Sequence, residues 1–144
     1  MKKIALIFVF IFLLSTNALA EKITCKAKDN STFTVEVPVG WKSKNVEGGC
    51  VVAKQDGSEF ISIAYFPANG LKAKEFAQQM VIAMKVTPTY NSQKEDYVDM
   101  DVIIEGTKVN ITVISDGTGS AQVITQKPEE SKDLDAIFDS VKFD

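Results

Sequence analysis

The chain has 144 residues, 16 Lys+Arg against 19 Asp+Glu and a formal net charge of −3, and it contains no arginine and no histidine. Lack of histidine removes the usual neutral-pH acid/base and the commonest metal ligand. Lack of arginine removes the planar fork that grips phosphates and carboxylates, so several enzyme classes drop out together, and the acidic balance argues against nucleic acid or anionic lipid as partner.

Met1-Lys2-Lys3 is a short cationic start, Ile4 to Leu14 is an unbroken apolar run, and the stretch STNALA ends with Ala18 and Ala20 at the small-residue positions. This is the layout of a secretory signal, with cleavage expected after Ala20. The apolar run is well short of the roughly 20 residues that cross a bilayer. Residues 21–144 should then form a single exported domain of net charge −5, periplasmic or secreted, with no stable membrane insertion. The lysine-only cations and the MKK start suggest a bacterial origin.

Cys25 and Cys50 are the only cysteines, which in an exported chain reads first as one disulfide. Closing a loop of about 26 residues should stabilise the fold by roughly 3 kcal/mol. A redox pair would normally be Cys-x-x-Cys, and a zinc site would need two more ligands from carboxylates. Two free thiols are the remaining alternative.

Phe33, Val35 and Val37 alternate with Thr32, Thr34 and Glu36, giving a half-buried strand ended by Pro38. CVVAK and EFISIAYF are the next two strands, split by the turn QDGS, and the three together read as a meander. Trp41 lies just past the first strand. Its indole either closes the rim of the core or stands exposed as an aromatic anchor for a partner.

LKAKEFAQQMVIAMKV then places Ala73, Phe76, Ala77, Met80 and Met84 on one helical face, with Asn69 as the expected cap. A polar connection over Thr87 to Lys94 follows. YVDMDVII and TKVNITVIS are strands joined by Glu105-Gly106, and DGTG turns the chain into a further strand, SAQVITQ. The terminal segment SKDLDAIFDSV carries Leu134, Ile137, Phe138 and Val141 as one apolar stripe, with Ser131 as cap and Phe143 beyond. If that stripe is core, Phe138→Ala should cost about 3 to 5 kcal/mol. Strands, helix, strands, helix with short links predict an α+β fold, a mainly antiparallel sheet packed by helices.

FTVEVPVGW, a helix following a strand that ends near YFPANG, the hairpin VIIEGTKVNITVIS and a final helix running into IFDSVKF together resemble the PsbP/Mog1/DcrB group of α/β sandwiches over nearly the whole mature chain. The resemblance implies an α/β/α sandwich and a small scaffolding or binding module. It supplies no catalytic residue to carry over, and a Cys25–Cys50 pair is not a general feature of the group.

Glu95, Asp99 and Asp101 fall at odd positions of one expected strand and share a face, with Asp96 adjacent. Alternating strand carboxylates point in parallel, so a solvated face is the simpler reading than a calcium loop or a glycosidase acid/base pair. ISDGTGSA lacks the Lys-Ser/Thr ending of a P-loop and reads as a reverse turn. Asn30-Ser31-Thr32 and Asn110-Ile111-Thr112 match the glycosylation acceptor pattern. No catalytic residue, cofactor or metal site is expected. The function expected is a non-enzymatic exported module acting on a protein partner, through residues such as Trp41, Glu95, Asp99 and Asp101. The alternatives are an immunity or inhibitor protein against a toxic envelope enzyme and a carboxylate- or lysine-dependent enzyme.

Overall fold

A computed structural model describes residues 20–129 and 131–144. The expected signal region, apart from Ala20, lies outside the described residues. In chain order the elements are β1 (Glu21–Lys26), β2 (Thr32–Val37), β3 (Trp41–Val46), β4 (Gly49–Lys54), β5 (Phe60–Pro67), α1 (Ala73–Met84), β6 (Thr89–Gln93), β7 (Tyr97–Ile104), β8 (Thr107–Ile114), β9 (Ser120–Gln126), α2 (Lys132–Asp139) and β10 (Lys142–Phe143). Seven strands form one sheet in the order β3-β4-β5-β9-β8-β7-β6, and β1-β2-β10 form a second, smaller one. Every ladder is antiparallel. The fold is α+β and sandwich-like, as expected from the grouping of strands and helices.

The large sheet is buried on both faces over its centre, and each face has its own core. Val51, Phe60, Met100 and Ile111 turn toward α1, where Ala73, Ala77 and Val81 meet them. The opposite faces of β4, β5 and β9 carry Cys50, Val52, Ile61, Ile63 and Ile124. These pack against Phe33 and Val35 of the small sheet and Leu134 and Ile137 of α2. Alternation sends neighbouring residues to different cores: Val51 to the first and Val52 to the second. β5 serves both, which is why FISIAYF reads as a nearly continuous apolar run.

Four expectations change. β2 does not lead a meander into β4; it belongs to the small sheet, and β3 intervenes as the edge of the large one. The covering layer opposite α1 is therefore a three-stranded sheet with a short helix, not a helix alone. The connection expected over Thr87 to Lys94 contains an edge strand, β6, with a bulge between Tyr90 and Ser92. Asn69 does not cap α1, because its φ of 54° places it in a left-handed turn, and Lys72 occupies the cap position without a side-chain bond. The orphan amides at that helix end find backbone carbonyls instead: Ala73 donates to Ser115 at 3.1 Å and Lys74 to Glu95 at 3.1 Å.

Other local expectations hold. Glu105 and Gly106 have φ of 50° and 80°, the two-residue turn whose twist matches that of the β7–β8 hairpin. Ser131 caps α2 by accepting from the Leu134 amide at 3.3 Å. Within the α2 stripe, Leu134 and Ile137 are buried, whereas Phe138 and Val141 pack against the core only in part.

Candidate binding face

α1 covers one face of β7 and β8, while α2 and the small sheet reach only as far as β4, β5 and β9 on the other. Among the described residues, nothing covers the second face of β6, β7 and β8. Register fixes what it shows: Tyr97 lies opposite Ile114, Asp99 opposite Thr112, Asp101 opposite Asn110, and Ile103 opposite Lys108. The residues between them, Val98, Met100, Val102 and Ile104, point into the first core, so the strand pattern itself puts these side chains outside. Tyr97 is 37% exposed, Ile114 38% and Ile103 64%; three of the six large apolar side chains exposed among the described residues lie on this face.

At its boundary with α2 the face deepens into a groove of about 210 Å³. Ile61, Ile114, Ile124, Leu134 and Phe138 make its apolar lining, Tyr97 closes one side, and Thr112, Gln126 and Asp135 supply polar groups. Sites for metabolite-sized ligands run from roughly 300 to 1,000 Å³, so this groove suits one or two side chains of another protein. A second hollow of about 340 Å³ lies beside Val39, Gly40, Trp41, Lys54, Gln55 and Asp56. It is shallow, and its charge is already matched, since Lys54 pairs with Glu59 and sits 5.8 Å from the centre of the Trp41 ring.

Of the expected acidic trio, Asp99 and Asp101 share the open face and Glu95 does not. Glu95 lies in the bend before β7, where the Lys94 amide bonds the Tyr97 carbonyl at 2.8 Å and closes the β6–β7 hairpin. The strand begins two residues later than its carboxylates suggest. The Asn110 side-chain amide donates to both remaining carboxylates, to Asp99 and, at 3.0 Å, to Asp101. Asn91 adds a donor to Asp99 at 3.3 Å, and Lys108 stands 3.7 Å from Asp101. Asn110, one of the two acceptor-pattern asparagines, thus already uses its amide. Among the described residues, no group of three or more Asp, Glu or Cys is placed to hold a metal ion.

Trp41 is 5% exposed and belongs to the second core. Its amide bonds the Pro38 carbonyl at 3.1 Å, which turns the ring back over that core. Cys25 of β1 and Cys50 of β4 are both buried and face each other between the two sheets. They are free thiols in this structure, near each other but not at bonding distance. The neighbouring Cys25 thiol, and then burial, push the Cys50 thiol pKa far up. In the DGTG turn, Asp116 accepts from the Thr118 amide at 2.9 Å and its hydroxyl at 2.7 Å, the self-contained bonding of a reverse turn.

The groove and the open face escape sequence reasoning because Tyr97 and Ile114 look like ordinary members of alternating strands. The visible signal was an apolar residue on the polar phase of each strand: Tyr97 and Ile103 among the aspartates of β7, and Ile114 beyond Thr112 on β8.

No protein-family model matches the chain, and no curated protein matches it. A crystal structure of a protein from Bacteroides thetaiotaomicron VPI-5482, at 1.50 Å resolution, is similar over 78% of this chain and 45% of its own, at 18% identity and a TM-score of 0.44. The chain thus spans less than half the length of that protein. No helix among the described residues is long and apolar enough to cross a membrane.

Proposed function

We propose that the chain is an exported, non-enzymatic accessory module, built on the plan of the PsbP/Mog1/DcrB group, that holds a protein partner on the open face of β6, β7 and β8. One observation carries the reading: Tyr97 and Ile114 remain exposed side by side at the groove, with Ile103 farther along β7, on a sheet face that no other described element covers. Clustered exposed apolar side chains beside a preformed groove mark interaction surfaces more often than scattered ones do. In the exported protein, residues 1–20 are removed and Cys25 and Cys50 are joined, so that the small sheet is stapled to the large one behind the face.

The test is capture of partner from an envelope extract by the mature chain and by an Ile114→Asp variant. Ile114 is 38% exposed, so the substitution should lower the melting temperature by only several degrees and leave the chain folded while abolishing capture. Undiminished capture by the variant would remove the open face from the reading.

A further inference from the structure

The geometry points to a cationic protein segment as the occupant of the open face, one that seats a single large apolar side chain in the groove beside α2 with a lysine or arginine two residues away. This rests on the reading of the chain as a protein-binding module. Three carboxylates line the path: Asp135 at the groove, and Asp99 and Asp101 in successive rows of β7. Lys108 stands against Asp101. Among the described contacts, the partners of Asp99 are the amides of Asn91 and Asn110, which both donate to its Oδ1 and bring no positive charge.

The spacing follows from strand geometry. Tyr97 borders the groove, and Asp99, two residues on, is about 7 Å away along the strand; a partner running extended over β7 repeats its own side chains at that pitch. An apolar residue in the groove therefore carries its second neighbour to Asp99. Charge also argues against a second copy and against nucleic acid. A second copy packed face to face would set Asp99, Asp101 and Asp135 among their own equivalents in a chain of negative net charge, and nucleic acid would be repelled. A metabolite would find too little volume.

The probes are three capped pentapeptides, Lys-Ser-Phe-Ser-Lys, Glu-Ser-Phe-Ser-Glu and Lys-Ser-Ala-Ser-Lys, titrated into the ¹⁵N-labelled mature chain. The first should move the amide resonances of Tyr97, Asp99, Thr112 and Ile114, and bind more weakly as salt is raised. The other two should bind at least several-fold more weakly. Asp99→Asn and, separately, Asp135→Asn should each weaken the first peptide roughly twofold to fivefold, the range of an exposed ion pair. The same spectra report whether each variant is folded, and the Asp135 variant leaves the Asn91–Asp99–Asn110 bonding intact. Equal or tighter binding of the glutamate peptide, shifts located elsewhere, or no binding would overturn the inference. If Ile114→Asp abolishes capture of a natural partner while Asp99→Asn and salt leave that capture unchanged, only the charge assignment falls. If Ile114→Asp leaves capture unchanged, the open-face reading falls with it.

Discussion

Ile137 and Phe138 are neighbours on α2, and the structure assigns them different work. Ile137 is 1% exposed, enclosed between the helix and the second face of the large sheet. Ile137→Ala removes three carbons, about 2.4 kcal/mol at roughly 0.8 kcal/mol for each buried methylene, and the space left is walled on every side, so a cavity penalty is added. The expected loss is about 3 to 4 kcal/mol. Phe138 is only partly buried, and one side of its ring forms a wall of the groove. Truncating it opens a depression that water already reaches, so the cavity penalty largely disappears. Phe138→Ala should cost about 1 to 2 kcal/mol rather than the roughly 3 to 5 kcal/mol of a fully enclosed ring. Urea titrations of both variants, at one fixed cysteine oxidation state and with unchanged slopes, measure the difference directly. In a domain with a total margin of about 5 to 15 kcal/mol, the two outcomes are well separated. Equal losses, or a larger one for Phe138, would mean that the groove is closed in solution and its lining is core. The reverse order should hold for binding, where Phe138→Ala removes the groove wall and weakens partner capture more than Ile137→Ala does.

Mature protein isolated from an oxidising compartment should show no reactive thiol when unfolded without reductant, and reduction should cost roughly 3 kcal/mol in urea titrations; two titratable thiols per chain would refute the staple. Folding raises the Cys50 thiol, chiefly through Cys25, and Tyr65, chiefly through desolvation, so each contributes stability below its unfolded value that is lost as pH rises. The reduced protein should therefore weaken above about pH 8.5, and the disulfide form only above about pH 10, with Tyr65→Phe flattening that second decline. On the acid side, Asp29 and Asp116 are held low first by the hydroxyls of Ser31 and Thr118, and Asp56 first by the Ser58 amide. Their contribution is present above the usual carboxylate value and lost as pH falls through the lowered ones, so stability should drop from about pH 5 downward, less steeply in Asp116→Asn. At Gly49, a Cβ would sit 1.8 Å from the Ile63 carbonyl oxygen and 2.8 Å from the Ala64 Cα. Both obstacles are backbone of the paired strand, so Gly49→Ala should cost at least about 3 kcal/mol, and a thermal melt within a few degrees of wild type would refute the close approach.

The strands legible in the sequence were those around Phe33, Val51, Ile61, Val102, Ile111 and Val123, and each has a paired strand on both sides. Such strands bury at least one face fully, and burial writes a period of two or a continuous apolar run into the residues. The strands without such a pattern, β1, β3, β6 and β10, are the four sheet edges. An edge strand pairs along one side, so EKITCK, WKSKNV and TYNSQ needed no sustained apolar rhythm even though Cys25 and Trp41 reach the second core, and their placement came from the partners that neighbouring chain offers. The turn chemistry of Glu105-Gly106 and Asp116-Gly117 and the Ser131 cap were legible because each is satisfied within a few residues, and the α2 stripe because its apolar side chains recur at helical spacing. Only the tertiary structure decided that Glu95 falls off the strand that holds Asp99 and Asp101, that Cys25 and Cys50 meet from different sheets, and that α2 stops short of β7. These outcomes depend on how two sheets of unequal width overlap. The open face is the part of the wide sheet that the narrow layer leaves uncovered, a difference in extent that no single stretch of residues encodes.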